Sequence, residues 1–303
     1  MNHAKKIATG AALLLAVAGG LALAAAGASG DVELGNGKGL SCEMKTYEVE
    51  EAFSDIRIED AECSVRILPA ADGACRVVCP EKRDGSVYHT VAVSGGELRV
   101  QRHDRRRWYQ YIGVSLGGGE VEVYLPEGEY GKLAFLSTSG SIRVDGGFCF
   151  ESARLESTSG DVQMSSEVKE ALTAQSTSGS VCVETAALEA LTAETVSGSI
   201  ALSHVRCGEI SVKSTSGRIG LTDAIAEAGL RVKSVSGSIA LEDCDGGDVR
   251  IQTTSGSVEG TLLSDKLFVA DSTSGSINVP LSRGAEKCEI TTVSGSIAIE
   301  IGR

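Results

Sequence analysis

The sequence predicts an all-β protein, a right-handed parallel β-helix with coils of about 19 residues, on two observations. From residue 137 onward one phrase returns nine times, as STSGSIRV, STSGDVQM, STSGSVCV, TVSGSIAL, STSGRIGL, SVSGSIAL, TTSGSVEG, STSGSINV and TVSGSIAI. Its glycine falls at Gly140, Gly160, Gly179, Gly198, Gly217, Gly237, Gly256, Gly275 and Gly295, always 19 or 20 residues apart. A fixed period of that size marks a solenoid in which each coil stacks on the one before. The second observation is composition: aromatics make up 4% of the 303 residues while glycine numbers 37. The core is therefore thin and built from Val, Ile, Leu and Ala, not arranged around a ring-lined cavity.

The elements follow in order. Residues 1–30 read as a signal peptide or an N-terminal membrane anchor, because Lys5 and Lys6 precede an uncharged, Leu- and Ala-rich stretch from Ile7 to Ala28. A helix over residues 7–28 is just long enough to span a bilayer core. Ala24-Ala25-Ala26 and Ala26-Gly27-Ala28 also fit small-residue cleavage sites, so removal and retention both stay open. In either case the basic flank keeps the N-terminus inside and places the rest in the cell envelope, outside the cytoplasm, anchored or secreted. Residues 31–41 read as a flexible spacer.

Residues 42–132 carry looser alternations, Ile56/Ile58, Val65/Ile67, Val91/Val93, Leu98/Val100 and Val121/Val123/Leu125. They are expected to be irregular coils of the same solenoid that cap its core; a separate N-terminal β-domain is the alternative. Residues 133–303 form the regular part. Two and four residues after each glycine stand apolar pairs such as Ile142/Val144 and Ile200/Leu202, and seven and five before it Leu133/Phe135 and Ile210/Val212, giving two strands per coil. The position after the glycine becomes Asp161 and Arg218, so it faces water. The glycine makes the corner between the strands through a positive φ or a bulge. The serine before it (Ser139, Ser159, Ser178, Ser197, Ser216, Ser236, Ser255, Ser274 and Ser294) is expected to form a polar ladder at the inner edge of that corner. The second corner is expected to be a loose stretch such as SSEVKEA or EDCDGGD.

The segments FSDIRIEDAECSVRI, GGELRV and VEVYLPEGEYGKLAFLSTSGSIRV, followed by the TSGS coils, resemble the bacterial putative-adhesin family, a domain of unknown function, over residues 50–303. The resemblance implies a parallel β-helix following an export or membrane segment and an envelope location. It implies no activity.

Chemistry is sparse. With 28 Lys and Arg against 41 Asp and Glu, the formal charge is −13, which excludes sequence-independent nucleic-acid binding. The repeat serines lack a Gly-x-Ser-x-Gly elbow, and nine equivalent serines cannot each have a base. His89, His103 and His204 are far apart without metal-ligand spacing, so no metal or cofactor is expected. Glu242, Asp243, Asp245 and Asp248 lack the order of a calcium loop and read as a solvated turn. Nine cysteines without a pairing pattern read as small buried hydrophobes, with Cys63, Cys75 and Cys79 the local candidates for a bridge. The one basic and aromatic cluster, Arg105, Arg106, Arg107, Trp108, Tyr109 and Tyr111, could stack on a sugar or grip an anionic polymer; as plain packing it would cover the irregular end. The expected function is a non-enzymatic, adhesin-like interaction protein whose partner is an envelope protein or surface polymer. A glycan-binding module at Arg105–Tyr111 is the alternative, and an enzyme acting on polysaccharide a distant third.

Overall fold

Alternating apolar residues become strands wherever the sequence shows them. The computed structural model describes residues 42–106, 119–281 and 284–302, and these are all strand, turn or loop. No helix among them is long and apolar enough to cross a membrane; the 7–28 segment and the 31–41 spacer lie outside the described residues.

The irregular part holds β1 (Cys42–Val49), β2 (Asp55–Asp60), β3 (Ser64–Pro69), β4 (Cys75–Lys82), β5 (Val87–Ser94), β6 (Glu97–Asp104) and β7 (Glu120–Leu125). The regular coils hold β8 (Gly128–Ser137), β9 (Ile142–Val144), β10 (Phe148–Ser157), β11 (Val162–Met164), β12 (Glu167–Ser176), β13 (Val181–Thr195), β14 (Ile200–Ser214), β15 (Ile219–Lys233) and β16 (Ile239–Gln252). The last part holds β17 (Val258–Leu262), β18 (Leu267–Ser272), β19 (Ile277–Asn278), β20 (Lys287–Thr292) and β21 (Ile297–Ile301). From β8 to β16 each coil pairs in parallel with the next, so that Leu191, Ile210, Leu230 and Val249 form one buried row. The result is a β-solenoid with one continuous aliphatic core.

Four details differ from the expectation. First, the stretch expected to be a loose corner is itself strand: β14 runs unbroken from Ile200 to Ser214, and Val205 and Cys207 point inward between its other two inward pairs. The inward residues of this third leg change from coil to coil, from Phe148/Phe150 through Ser166/Val168, Ala186/Leu188 and Val205/Cys207 to Ala224/Ala226. That variation hides the leg from a search for a fixed hydrophobic pattern. His204, Asp223 and Asp243, with φ of 56°, 50° and 51°, turn the chain into it at equivalent places of three coils.

Second, none of the nine repeat glycines has a positive φ. Glycine is required because the corners touch. A Cβ on Gly160 would lie 2.1 Å from the Gly140 carbonyl oxygen, and one on Gly217 would lie 1.6 Å from that of Gly198. No side chain fits a backbone-to-backbone approach of that kind.

Third, the polar ladder runs through a different residue. The serines before the glycines are exposed in all nine phrases. The buried hydroxyl stands three residues before the glycine, at Ser157, Ser176, Thr195, Ser214, Ser234, Thr253 and Thr292. Ser176 Oγ donates to the Gly160 carbonyl of the previous coil and accepts from the Gly179 N–H, both at 2.9 Å. One hydroxyl therefore satisfies a buried donor and a buried acceptor at once.

Fourth, the coils do not stack in chain order at either end. β2 lies between β6 and β8, and β3 between β7 and β9, so β6 and β7 cover the strands β2 and β3 that precede them. β5 continues this end antiparallel to β6, and β4 lies antiparallel to both β7 and β1. At the other end Gly295 stacks on Gly256, and Gly275 on Gly295. The final coil is thus inserted beneath the one before it. Lys266 plugs the third leg there: wholly buried, it donates to the Gly246 carbonyl at 2.6 Å and pairs with Asp245 at 2.8 Å and with Glu286.

Candidate functional site

The irregular end concentrates the polar chemistry of the chain. Gly95 and Gly96, with φ of 62° and 80°, close a tight hairpin between β5 and β6. The register of that hairpin sets Tyr88 opposite His103, and their rings stack with centroids 4.9 Å apart. Arg105 lies over the Tyr88 ring, 4.9 Å from its centroid, and donates from Nη2 to the Tyr88 hydroxyl at 2.7 Å. A guanidinium on two stacked rings offers a flat polarisable face with an anion-binding edge.

Of the two described residues of the cluster singled out in the sequence, one belongs to this face. Arg105 is exposed and does. Arg106 turns inward, its side chain 8% exposed, and pairs with Asp104 and with Glu62 at 2.9 Å, which hold it firmly protonated. Arg107, Trp108, Tyr109 and Tyr111 lie outside the described residues. Tyr88 and His103 were missed because only the strand register joins them; their adjacency to a two-glycine turn was the available signal.

Behind this face lies a sealed polar cluster. His89 Nε2 is 2.9 Å from Asp60 Oδ2, and its Nδ1 is 4.0 Å from Glu81 Oε1. Glu81 Oε1 accepts from the Tyr47 hydroxyl at 2.5 Å and from the His89 N–H at 2.8 Å. Asp60 is held below the usual carboxylate range although burial works the other way, because His89 and the N–H groups of Cys63 and Glu62 stabilise its charge. The Cys63 thiol is pushed up to about 12, by burial first and then by Asp60. Cys63, Asp60 and His89 are 4%, 1% and 3% exposed, so no substrate reaches this trio.

The other candidates disperse. His204 is exposed and bonds Asp223 at 3.0 Å, and among the described residues no histidine hydrogen-bonds a repeat serine. The acidic turn is occupied internally, Asp245 by Lys266 and Ser264, Asp243 by Thr261. The repeat glycines touch the backbone of the neighbouring corner and donate to the hydroxyl three residues before them, as Gly179 does to Ser176. All nine cysteines are free, and five of them, Cys63, Cys79, Cys207, Cys244 and Cys288, are buried.

A repeat solenoid of this kind, with its invariant residues at stacked corners, places the chain in a class of extended β-repeat proteins. The chain belongs to the Toastrack DUF4097 family, whose profile matches residues 53–259 and, overlapping, 167–302. Among solved structures it is similar to a putative lipid binding protein from Parabacteroides distasonis, at 15% identity and a TM-score of 0.51, over 85% of this chain and 96% of that one. It is also similar to a putative adhesin from the same organism, at 9% identity and a TM-score of 0.47, over 85% and 97%. A putative adhesin from Parabacteroides merdae aligns at 13% identity and a TM-score of 0.45, over 74% and 97%. No curated protein matches the sequence.

Proposed function

We propose that this chain is a non-enzymatic, adhesin-like interaction protein of the cell envelope, held outside the cytoplasmic membrane and either anchored through residues 7–28 or released by cleavage there. One observation carries the reading: the buried positions that the repeat holds constant serve stacking. The glycines touch backbone, the buried hydroxyls bridge coil to coil, and the aliphatic pairs fill the core, which leaves outward positions such as Asp161 and Arg218 free to vary on a regular scaffold. The coil sense is right-handed, the hand of nearly all parallel crossovers. The partner is an envelope protein or a surface polymer and not a nucleic acid, given the charge of −13. Protease added to intact cells stripped of wall degrades residues 42–303 on this reading. Full protection of the repeats overturns it.

The stack of exposed Arg105 with half-buried Tyr88 and His103 favours a second reading, a glycan-binding surface at the irregular end. A glycan array comparing wild type with Tyr88→Ala and Trp108→Ala decides it: sugar binding lost in both variants supports that reading, and no binding by wild type removes it. Release of fragments from wall polysaccharide would instead favour an enzyme.

A further inference from the structure

The column of touching corners ends at Cys63. A Cβ on Gly140 would lie 1.8 Å from the Cys63 carbonyl oxygen, so Cys63 occupies in the β2–β3 coil the place that glycine holds in every later coil. Asp60 stands opposite Ser137 in register and replaces the hydroxyl. Its Oδ1 accepts from the N–H groups of Cys63 and Glu62 at 2.8 and 2.9 Å, as Ser137 Oγ accepts from the Gly140 N–H at 2.9 Å. The last corner has exchanged a hydroxyl and a hydrogen atom for a carboxylate and a thiol. β5 then lays His89 over both.

One donor atom from each of Asp60, Cys63 and His89 lies within 4.8 Å of the others. All three residues are more than nine-tenths buried, and His89 Nδ1 has no hydrogen-bond partner. Around them stand Glu62, Glu81 and Asp104 against Arg102 and Arg106, with Arg102 Nε 3.9 Å from Asp60. Lys45 adds a third cation, 3.5 Å from Glu81, and Asp60 itself a fourth carboxylate, so the carboxylates exceed the fixed cations by one. Repeat packing does not demand this set, since an ordinary Ser and Gly corner would close the coil.

The geometry points to a structural site for a thiophilic divalent cation of the Zn2+ class, with Asp60, Cys63 and His89 as its protein ligands. Thiolate and imidazole together favour zinc over the hard cations, and three protein donors leave one position for water or a further donor. On binding, metal–sulfur, metal–nitrogen and metal–oxygen bonds replace the His89–Asp60 hydrogen bond. The Cys63 proton passes to solvent, the His89 ring proton moves from Nε2 to Nδ1, which lies 4.0 Å from Glu81 Oε1, and nothing is oxidised or reduced. Because the site is sealed, the ion is taken up as the chain folds and stabilises the irregular end.

Refolding of the metal-stripped full-length protein with Co2+, alone or with excess Zn2+ present, tests this. The expected result is one equivalent of Co2+ with a thiolate-to-metal charge-transfer band that Zn2+ abolishes, and one sulfur among lighter donors in zinc X-ray absorption. Cys63→Ser removes the band, His89→Asn weakens Co2+ binding more than about tenfold, and Cys207→Ser, a buried thiol elsewhere, changes neither. Folded wild type that takes up no stoichiometric metal, a sulfur-free zinc site, or a band that survives in Cys63→Ser overturns the proposal. Should Cys63→Ser not fold, the wild-type sulfur count and His89→Asn decide.

Discussion

A Cβ on Gly198 would lie 1.9 Å from the carbonyl oxygen of Gly179. The two corners touch so closely that alanine is excluded as firmly as valine, and no change of φ relieves the clash. Gly198→Ala is expected to lower stability by about 1–3 kcal/mol, the usual range for forced overpacking. Gly220→Ala, where an added Cβ meets nothing within 4 Å, should leave the urea midpoint nearly unchanged. Equal midpoints for the two variants would refute the stacking account.

Ser176 and Ser178 stand two residues apart in one STSG phrase and should respond oppositely. Ser176→Ala strands the Gly160 carbonyl and the Gly179 N–H in the interior, at a cost of about 1–3 kcal/mol. Ser178 is exposed, so Ser178→Ala should stay within about 0.5 kcal/mol. Paired thermal melts check the order.

Lys266 and Asp245 tie stability to pH at both ends of the scale. Burial disfavours the charge on each, but their mutual pairing and further hydrogen bonds outweigh it, raising Lys266 and lowering Asp245 from the ordinary values of 10.5 and 3.8. The lowered carboxylate contributes above its unfolded value and loses that contribution as pH falls through its folded one. The raised ammonium contributes fully below 10.5 and loses its contribution above that. Lys266→Met should therefore narrow the stability difference from wild type at both acid and alkaline extremes, while Lys266→Ala costs roughly 3 kcal/mol near neutrality. A wild-type-minus-variant difference that stays flat across pH would rule out the ion pair as its source.

The inserted final coil gives a test of topology. Deleting residues 199–217 removes one whole coil and joins matching points of two phrases, so the shortened protein should fold. A stop after Glu286 removes fewer residues yet takes away β20 and β21, on which β18 and β19 stack. Limited proteolysis should digest residues 258–286 in the truncated chain and spare them in the deletion. The opposite pattern would mean that the coils stack in chain order.

The period, the glycine column and the inward aliphatic pairs were legible because each recurs at fixed spacing. Which hydroxyl of the phrase is buried was not: Ser176, Thr177 and Ser178 are chemically alike, and only the coil geometry turns the first of them inward. The end order was illegible for a related reason, since Gly275 and Gly295 sit in nearly identical phrases and nothing local says which lies outermost. At the irregular end, Arg105 was legible as part of a basic run, whereas Tyr88 and His103 meet only through hairpin register. Asp60 and Cys63 were hidden because they stand where the repeat is broken, so the alignment that reveals their equivalence to Ser137 and Gly140 exists only in space.

A polypeptide leaves the ribosome with its N-terminus first. Residues 267–278 therefore emerge before the only strands they pair with among the described residues, β20 and β21. Until the last stretch is complete they remain unsatisfied, and the aliphatic interior above Gly256 stays open. The last two strands thus act as a proofreading step: without β20 and β21 the coil before them keeps an adhesive, digestible edge.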